Sequence, residues 1–155
     1  MTVLVAPTTR DVVTISGPEA IAWLQGQLSQ DVAGLAVGDV TWSFVLAPEG
    51  KVDGWGRVRR SADDALQIDV ESGVGAGQAW VDRLNRFKLR TKAEVVLETD
   101  VAAFAVRGVQ PEGSLPAGWP GVDGGDLLAP EPGRLEQLVA DGAELVDDAA
   151  LEAVR

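Results

Sequence analysis

Neither cysteine nor histidine occurs in these 155 residues. Without thiols there is no disulfide, no thiolate nucleophile and no sulfur-ligated metal. Without imidazole there is no Ser-His relay and no histidine metal ligand. A metal would have to be a hard ion held by oxygen, and the Asp-x-Asp-x-Asp-Gly ligand spacing is missing as well. Long apolar runs are also absent. The start, Met1-Thr2-Val3-Leu4-Val5-Ala6-Pro7, has no basic opening and is too short for a signal peptide. No stretch approaches the ~20 apolar residues that a helix needs to span a bilayer. A cytoplasmic protein without membrane contact is the expectation. Bases are scarce: 13 Lys and Arg stand against 24 Asp and Glu, for a net charge of −11. Coulomb repulsion therefore disfavours non-specific nucleic-acid binding.

What is present is ordinary for a globular chain, with 46% apolar and 24% charged residues, enough for one compact domain or two small lobes. The bases are unevenly placed. Residues 51–92 hold nine of them (Lys51, Arg57, Arg59, Arg60, Arg83, Arg86, Lys88, Arg90, Lys92) against six acids, a local sum of +3, while the remainder sums to −14. This segment reads either as a solvated basic face or as a patch that meets an anionic ligand or partner.

The periodicities predict a β-rich chain. Residues 11–16 read as a strand. Ser16-Gly17-Pro18-Glu19 reads as a capping box opening a helix with Ile21, Leu24, Leu28 and Val32 on one face. Residues 40–47 read as a strand with Trp42, Phe44 and Leu46 on one side and Trp42 in the core. Pro48-Glu49-Gly50 turns the chain into a return strand over 51–60, where Gly54 and Gly56 flank Trp55. Glycines there imply a bulge or a close approach to the backbone. A third strand covers 65–70, and a helix covers 72–87 with Trp80, Val81, Leu84 and Phe87 inward. Strands at 93–97 and 102–106 follow. Residues 110–132 are a loop with a short strand at Leu127-Leu128, and Trp119 can clamp that loop. A helix at 134–140, a strand at 143–146 and a helix capped by Asp147-Asp148 close the chain. The order and the tight hairpins predict an α+β fold with mainly antiparallel sheet.

Three stretches, taken together, carry more. Ile15-Ser16-Gly17-Pro18-Glu19 runs into Trp23-Leu24-Gln25-Gly26-Gln27-Leu28-Ser29-Gln30-Asp31-Val32. Leu46-Ala47-Pro48-Glu49-Gly50-Lys51-Val52 follows, then Arg83-Leu84-Asn85-Arg86-Phe87-Lys88-Leu89-Arg90. In this order and spacing they resemble the opening half of the YgfZ-like folate-binding proteins, relatives of the glycine-cleavage T-protein, an aminomethyltransferase. Ala149-Ala150-Leu151-Glu152-Ala153-Val154-Arg155 resembles the segment that leads into an Ile-Glu-Ala-Gly continuation in those relatives. The resemblance implies two lobes: a split one from residues 1–39 and 100–155, and an antiparallel α+β insertion over 40–99 that coincides with the basic segment. It implies that the chain is part of a longer protein, since the family's C-terminal barrel domain and Lys-Gly-Cys-Tyr-x-Gly-Gln-Glu stretch are absent.

The resemblance further implies tetrahydrofolate as cofactor and iron–sulfur proteins as partners, in a non-catalytic supporting role. Transferases of the superfamily carry an Asp-Asp pair after the hairpin glycine. The aligned positions here are Gly54 and Trp55, and Asp53 is one place early, so alternation sends it to the opposite face. No carboxylate is then placed to polarise the reacting nitrogen. The implied folate contacts are Arg10, which can stack on a pterin or pair with its carboxylates, Glu71 at the end of the third strand, and Leu151, limited to apolar contact. Lys51 on the turn is either solvated or a ligand contact, and Trp55 either packs an edge or touches ligand. Gln25 and Gln27 are expected to satisfy backbone groups near the helix end. The alternatives are a folate-dependent aminomethyltransferase and a folate-free interaction module whose basic lobe docks an acidic partner.

Overall fold

The computed structural model describes residues 2–47, 49–118 and 120–152. The expected turn residue Pro48, the expected loop clamp Trp119 and the end of the last motif, residues 153–155, lie outside them. The elements are β1 (Leu4–Ser16), α1 (Ala20–Gln25), β2 (Val40–Leu46), β3 (Val52–Ala62), β4 (Ala65–Glu71), α2 (Ala76–Lys88), β5 (Glu94–Arg107), β6 (Leu115–Pro116), β7 (Gly124–Leu128), α3 (Arg134–Ala140), β8 (Glu144–Leu145) and α4 (Asp148–Glu152). The strand order is β2-β3-β4-β1-β5-β7-β6, with β8 on β1. The β2/β3, β3/β4, β5/β7 and β6/β7 pairs are antiparallel and β1/β8 is parallel. This is an α+β fold. The chain divides into two compact units, Met1–Arg10 with Val101–Arg155, and Asp11–Asp100.

In the second unit, α1 and α2 cover one face of the sheet. Leu66, Ile68 and Val70 alternate along β4 toward the helices, as strand geometry requires. They join Val13, Ile15, Leu24, Val45, Val58, Trp80 and Leu84 in one buried cluster. Asp11 is buried beneath α2, where its carboxylate accepts from Ser72 Oγ (2.9 Å) and the Asp100 amide (3.0 Å).

In the first unit, Val5, Val106, Leu127, Leu138 and Ala143 form one cluster, and Ala6, Ala105 and Leu151 form another. Val5 and Ala6 are adjacent on β1, so they serve opposite faces. The β8 segment zips onto β1 through Glu144 N–H to Val3 O (2.8 Å) and Val146 N–H to Val5 O (2.9 Å). Asp147 caps α4 as expected, accepting from Ala150 N–H at 2.8 Å.

Several elements differ from the sequence reading. The first helix stops at Gln25 instead of running toward Val32. The Gln25 side chain captures the amides of Val32 and Ala33, both at 2.8 Å, and so folds the following loop back while Leu28 and Val32 still reach the core. The capping box does not form. Glu19 is the N-cap without a side-chain cap bond, and its carboxylate accepts from the Lys92 amide at 3.1 Å. At Gly17, φ is +134° and an added Cβ would stand 2.6 Å from Lys92 O, so the turn requires glycine. The second helix begins at Ala76 because Gly73 and Gly75 adopt φ of +82° and +74°. The two strands expected over 93–106 are one, β5, which absorbs an irregularity at Asp100 (φ +53°).

Candidate functional site

The distinctive feature is the face of the second unit's sheet opposite α1 and α2. On β2, Ser43 and Val45 point into the core, so Trp42, Phe44 and Leu46 lie on the opposite side. The expectation that Trp42 is a core residue is corrected here: the smaller residues took the interior because the helices lie on their side of the strand. Trp42 stacks on Trp55 of β3, with centroids 5.1 Å apart and planes 14° apart. Phe44, the register partner of Trp55, closes the group at 4.5 Å and keeps 37% of its surface exposed. Such offset stacking gives a rigid aromatic platform.

Beside the platform lies a buried ion pair. Arg57 is wholly buried and Asp69 is 2% exposed. The two are register partners on β3 and β4 and bond bidentately, Nε to Oδ1 at 3.0 Å and Nη2 to Oδ2 at 2.7 Å. The guanidinium also sits 5.6 Å from the Trp42 ring centroid, within cation–π range. Arg59, next on the same face, donates to Gln67 at 2.8 Å.

The two hairpin glycines have separate reasons. A Cβ on Gly54 would meet Trp80 and Val45 at 3.0 Å, and one on Gly56 would meet Ile68 at 2.7 Å. The ladder slips between Val45 and Leu46, so Asp53 is the extra residue of a β-bulge. Asp53 thereby turns to the helix side, where Arg83 Nε of α2 holds it at 3.3 Å. The bulge directs it away from the aromatic face and to the same side as Gly54, not to the side opposite Gly54 that alternation implied. Position 54 faces Trp80, and position 55 carries indole. No carboxylate from this turn reaches the platform.

The five residues singled out from sequence divide between the units. Arg10, half-buried, and Leu151, buried against Ala6 and Ala105, belong to the first. Lys51, Trp55 and Glu71 belong to the second. Trp55 is in the platform. Lys51 is exposed at the start of the return strand, and its carbonyl accepts from Ala47 N–H at 2.8 Å. Glu71 is exposed at the end of β4, on the Asp69 side of that strand. Gln25 satisfies backbone amides as expected. The basic segment is only partly a solvated face. Arg57, Arg59 and Arg83 bond internally, and Arg60 ties down the carbonyls of Ala33, Leu35, Ala62 and Asp63. Exposed Arg86 and Arg90 remain outward.

Sequence reasoning missed the Arg57–Asp69 pair. The available signal was an aspartate between Ile68 and Val70 in a strand otherwise bound for the core, opposite an arginine in the return strand. The chemistry of the face suits a flat heteroaromatic ring. It offers aromatic surface for stacking and, at Glu71, a carboxylate able to accept two N–H groups from an amino-pyrimidine edge. Asp69 is 2% exposed and engaged by Arg57 through both its oxygens, whereas Glu71 is exposed. Among the described residues no group of His, Cys, Asp and Glu is arranged to hold a metal, and no helix is long and apolar enough to cross a membrane.

No family model matches the chain, and no curated protein matches it. Among solved structures, the chain is similar to the crystal structure of glycine cleavage system aminomethyltransferase T from Bartonella henselae, with a TM-score of 0.77 and 16% sequence identity. The match covers 96% of this chain and 49% of that one, so the chain spans about half the length of that protein. At this identity the likeness establishes architecture alone: the chain has the fold found in that aminomethyltransferase T.

Proposed function

We propose that this chain binds tetrahydrofolate, or a closely related reduced pterin, without turning it over. The observation that carries the reading is the Trp42–Trp55–Phe44 platform beside the Arg57–Asp69 pair, on a fold shared with an aminomethyltransferase. The pterin stacks on the exposed Phe44 edge of the platform. Glu71 accepts from its amino-pyrimidine edge, and Lys51 meets the glutamate carboxylates of its tail. Binding without turnover follows from the hairpin. General acid–base catalysis needs a titratable group within hydrogen-bond reach of the moving proton. Here Gly54 packs on Trp80, Trp55 presents indole, and Asp53 is held by Arg83.

The sequence resemblance adds a role like that of the YgfZ-like proteins, in support of iron–sulfur enzymes. This chain would act there as a folate carrier, because it has no cysteine or histidine with which to ligate a cluster. The structural likeness to an aminomethyltransferase favours a second reading, one-carbon transfer from an aminomethyl donor to the same cofactor.

Titration with tetrahydrofolate, followed by tryptophan fluorescence, tests the first reading. Saturable quenching below millimolar ligand, weakened about tenfold or more in Trp55→Ala through loss of stacking, is the expected result. A flat titration would remove folate from the reading. Turnover with an aminomethyl donor would replace the binder with the transferase.

A further inference from the structure

The last of the three motif stretches ends α2 in a way that packing does not explain. Leu89 closes the helix with φ of +48° and ψ of −120°, and its side chain is 87% exposed. That backbone region is unfavourable for a residue with a Cβ, and such outliers gather where a side chain is presented to something else. Exposed Arg86 and Arg90 and half-buried Lys88 flank it in sequence. Among the described residues no acid pairs with any of these three. Phe87 adds further exposed apolar surface. The tip of α2 is thus an apolar knob with basic flanks. The first unit carries the complementary shape and charge. A depression of about 440 Å³ lies between residues 109–112 and α3, lined by the apolar Val3, Val109, Pro111 and Leu138. Exposed Glu112 and Asp141 complete the lining, and neither carboxylate has a partner among the described residues. Arg134 is there too, but it directs Nη1 to Gln137 Oε1 (2.7 Å) and Nη2 to the Glu112 carbonyl (3.4 Å).

We propose that these two surfaces are the halves of one contact between copies of this chain. Leu89 of one copy seats in the depression of the next, while Arg86 and Arg90 meet Glu112 and Asp141. The volume lies in the range of genuine binding cavities and is ample for a leucine side chain. A second copy is favoured over a foreign partner because knob and cavity, bases and acids, are all carried by the same chain. A long polyanion such as a nucleic acid would also meet the acidic remainder, which sums to −14 outside residues 51–92. At about 0.15 M salt the Debye length is ~8 Å. The overall repulsion between two chains of −11 each is then largely screened, while groups in contact still attract. The patch is small, so the contact is weak, with a dissociation constant on the order of 0.1 mM. It runs head to tail, so association continues past the dimer unless a ring closes. The aromatic platform takes no part, so this contact and folate binding stand or fall separately.

The test is sedimentation equilibrium of the 155-residue chain from about 10 μM to about 1 mM, spanning the expected constant. The expected result is a weight-average mass that climbs above the 16.2 kDa of one chain. Leu89→Gly removes the knob and suits the backbone. It should weaken association about tenfold or more without lowering the unfolding midpoint. Arg90→Glu and Asp141→Arg each place like charges opposite one another, so each alone should stay at the mass of one chain. Mixed in equal amounts they should associate again, because the native Arg90 of one meets the native Asp141 of the other. A purely structural role for either residue would give no such recovery. Four results overturn the proposal: a parent chain that stays at the mass of one copy throughout, association unchanged in Leu89→Gly, either charge variant alone as heavy as the parent, or a mixture no heavier than its components.

Discussion

Two arginine–aspartate pairs bridge neighbouring strands, one in each unit, and they are built differently. Arg57 and Asp69 are almost wholly enclosed and bonded through two parallel contacts. Arg107 and Asp126 share one contact at 2.9 Å. Arg107 Nη1 also donates to the Val106 carbonyl, and its Nε is buried without a partner. Desolvating two charges costs several kcal/mol per ion, and only good geometry offsets this. The first pair meets that condition through its bidentate fork and the aromatic ring nearby. The second meets it less fully and keeps more solvent contact at the carboxylate. The lesson is that one residue pairing on one sheet architecture can be a rigid floor in one place and a looser tie in another.

Truncation separates them most sharply. Asp69→Ala leaves a buried guanidinium uncompensated and is expected to cost ~3–5 kcal/mol, read by urea unfolding of the second unit through its tryptophans. Asp126→Ala is expected to cost about 1–3 kcal/mol, because the Val106 carbonyl still serves Arg107; hydrogen exchange along β7 reads it. Equal costs would break the comparison. Replacing both partners, Arg57→Met with Asp69→Leu, should recover stability to within ~1 kcal/mol of the parent yet flatten any folate titration. Failure to recover would mean that the pair contributes more than its own charges. Gly54→Asp restores a carboxylate near the turn. It should cost about 1–3 kcal/mol through collision with Trp80 and Val45, with no gain of transfer activity. The smallest effect concerns Leu89, which closes α2 at φ +48° and is 87% exposed. Leu89→Gly relieves backbone strain without losing packing and should add ~0.5 kcal/mol, a control showing that the basic tip of α2 plays no part in either pair.

Element existence was legible in the sequence wherever alternation was strong. Leu66, Ile68 and Val70 announced β4, and the Leu135/Leu138/Val139 spacing announced α3. Element ends were not, since they depend on distant partners: Lys92 takes Glu19 from its cap, and Gln25 ends α1 by holding amides seven and eight residues on. Face assignment failed on β2 for a physical reason. Hydrophobicity marked Trp42 for burial, but which side of a strand is interior is set by where the helices pack. The aromatic residues therefore formed a second, outward cluster. The ion pair was missed because its two members sit on different strands, twelve positions apart, and its one signal, a lone aspartate between Ile68 and Val70, names no partner by itself.

The near-parallel indoles of Trp42 and Trp55 have an optical consequence. Two like chromophores at 5.1 Å couple as an exciton, so the hairpin carries an absorption and dichroism band whose sign and size are set by the angle between the two indole transition moments. That band vanishes if β2 peels from β3, even while the helices behind it persist. It makes local fraying of the strand pair visible without a label, and it gives any molecule that wedges beside Trp55 a direct spectroscopic signature.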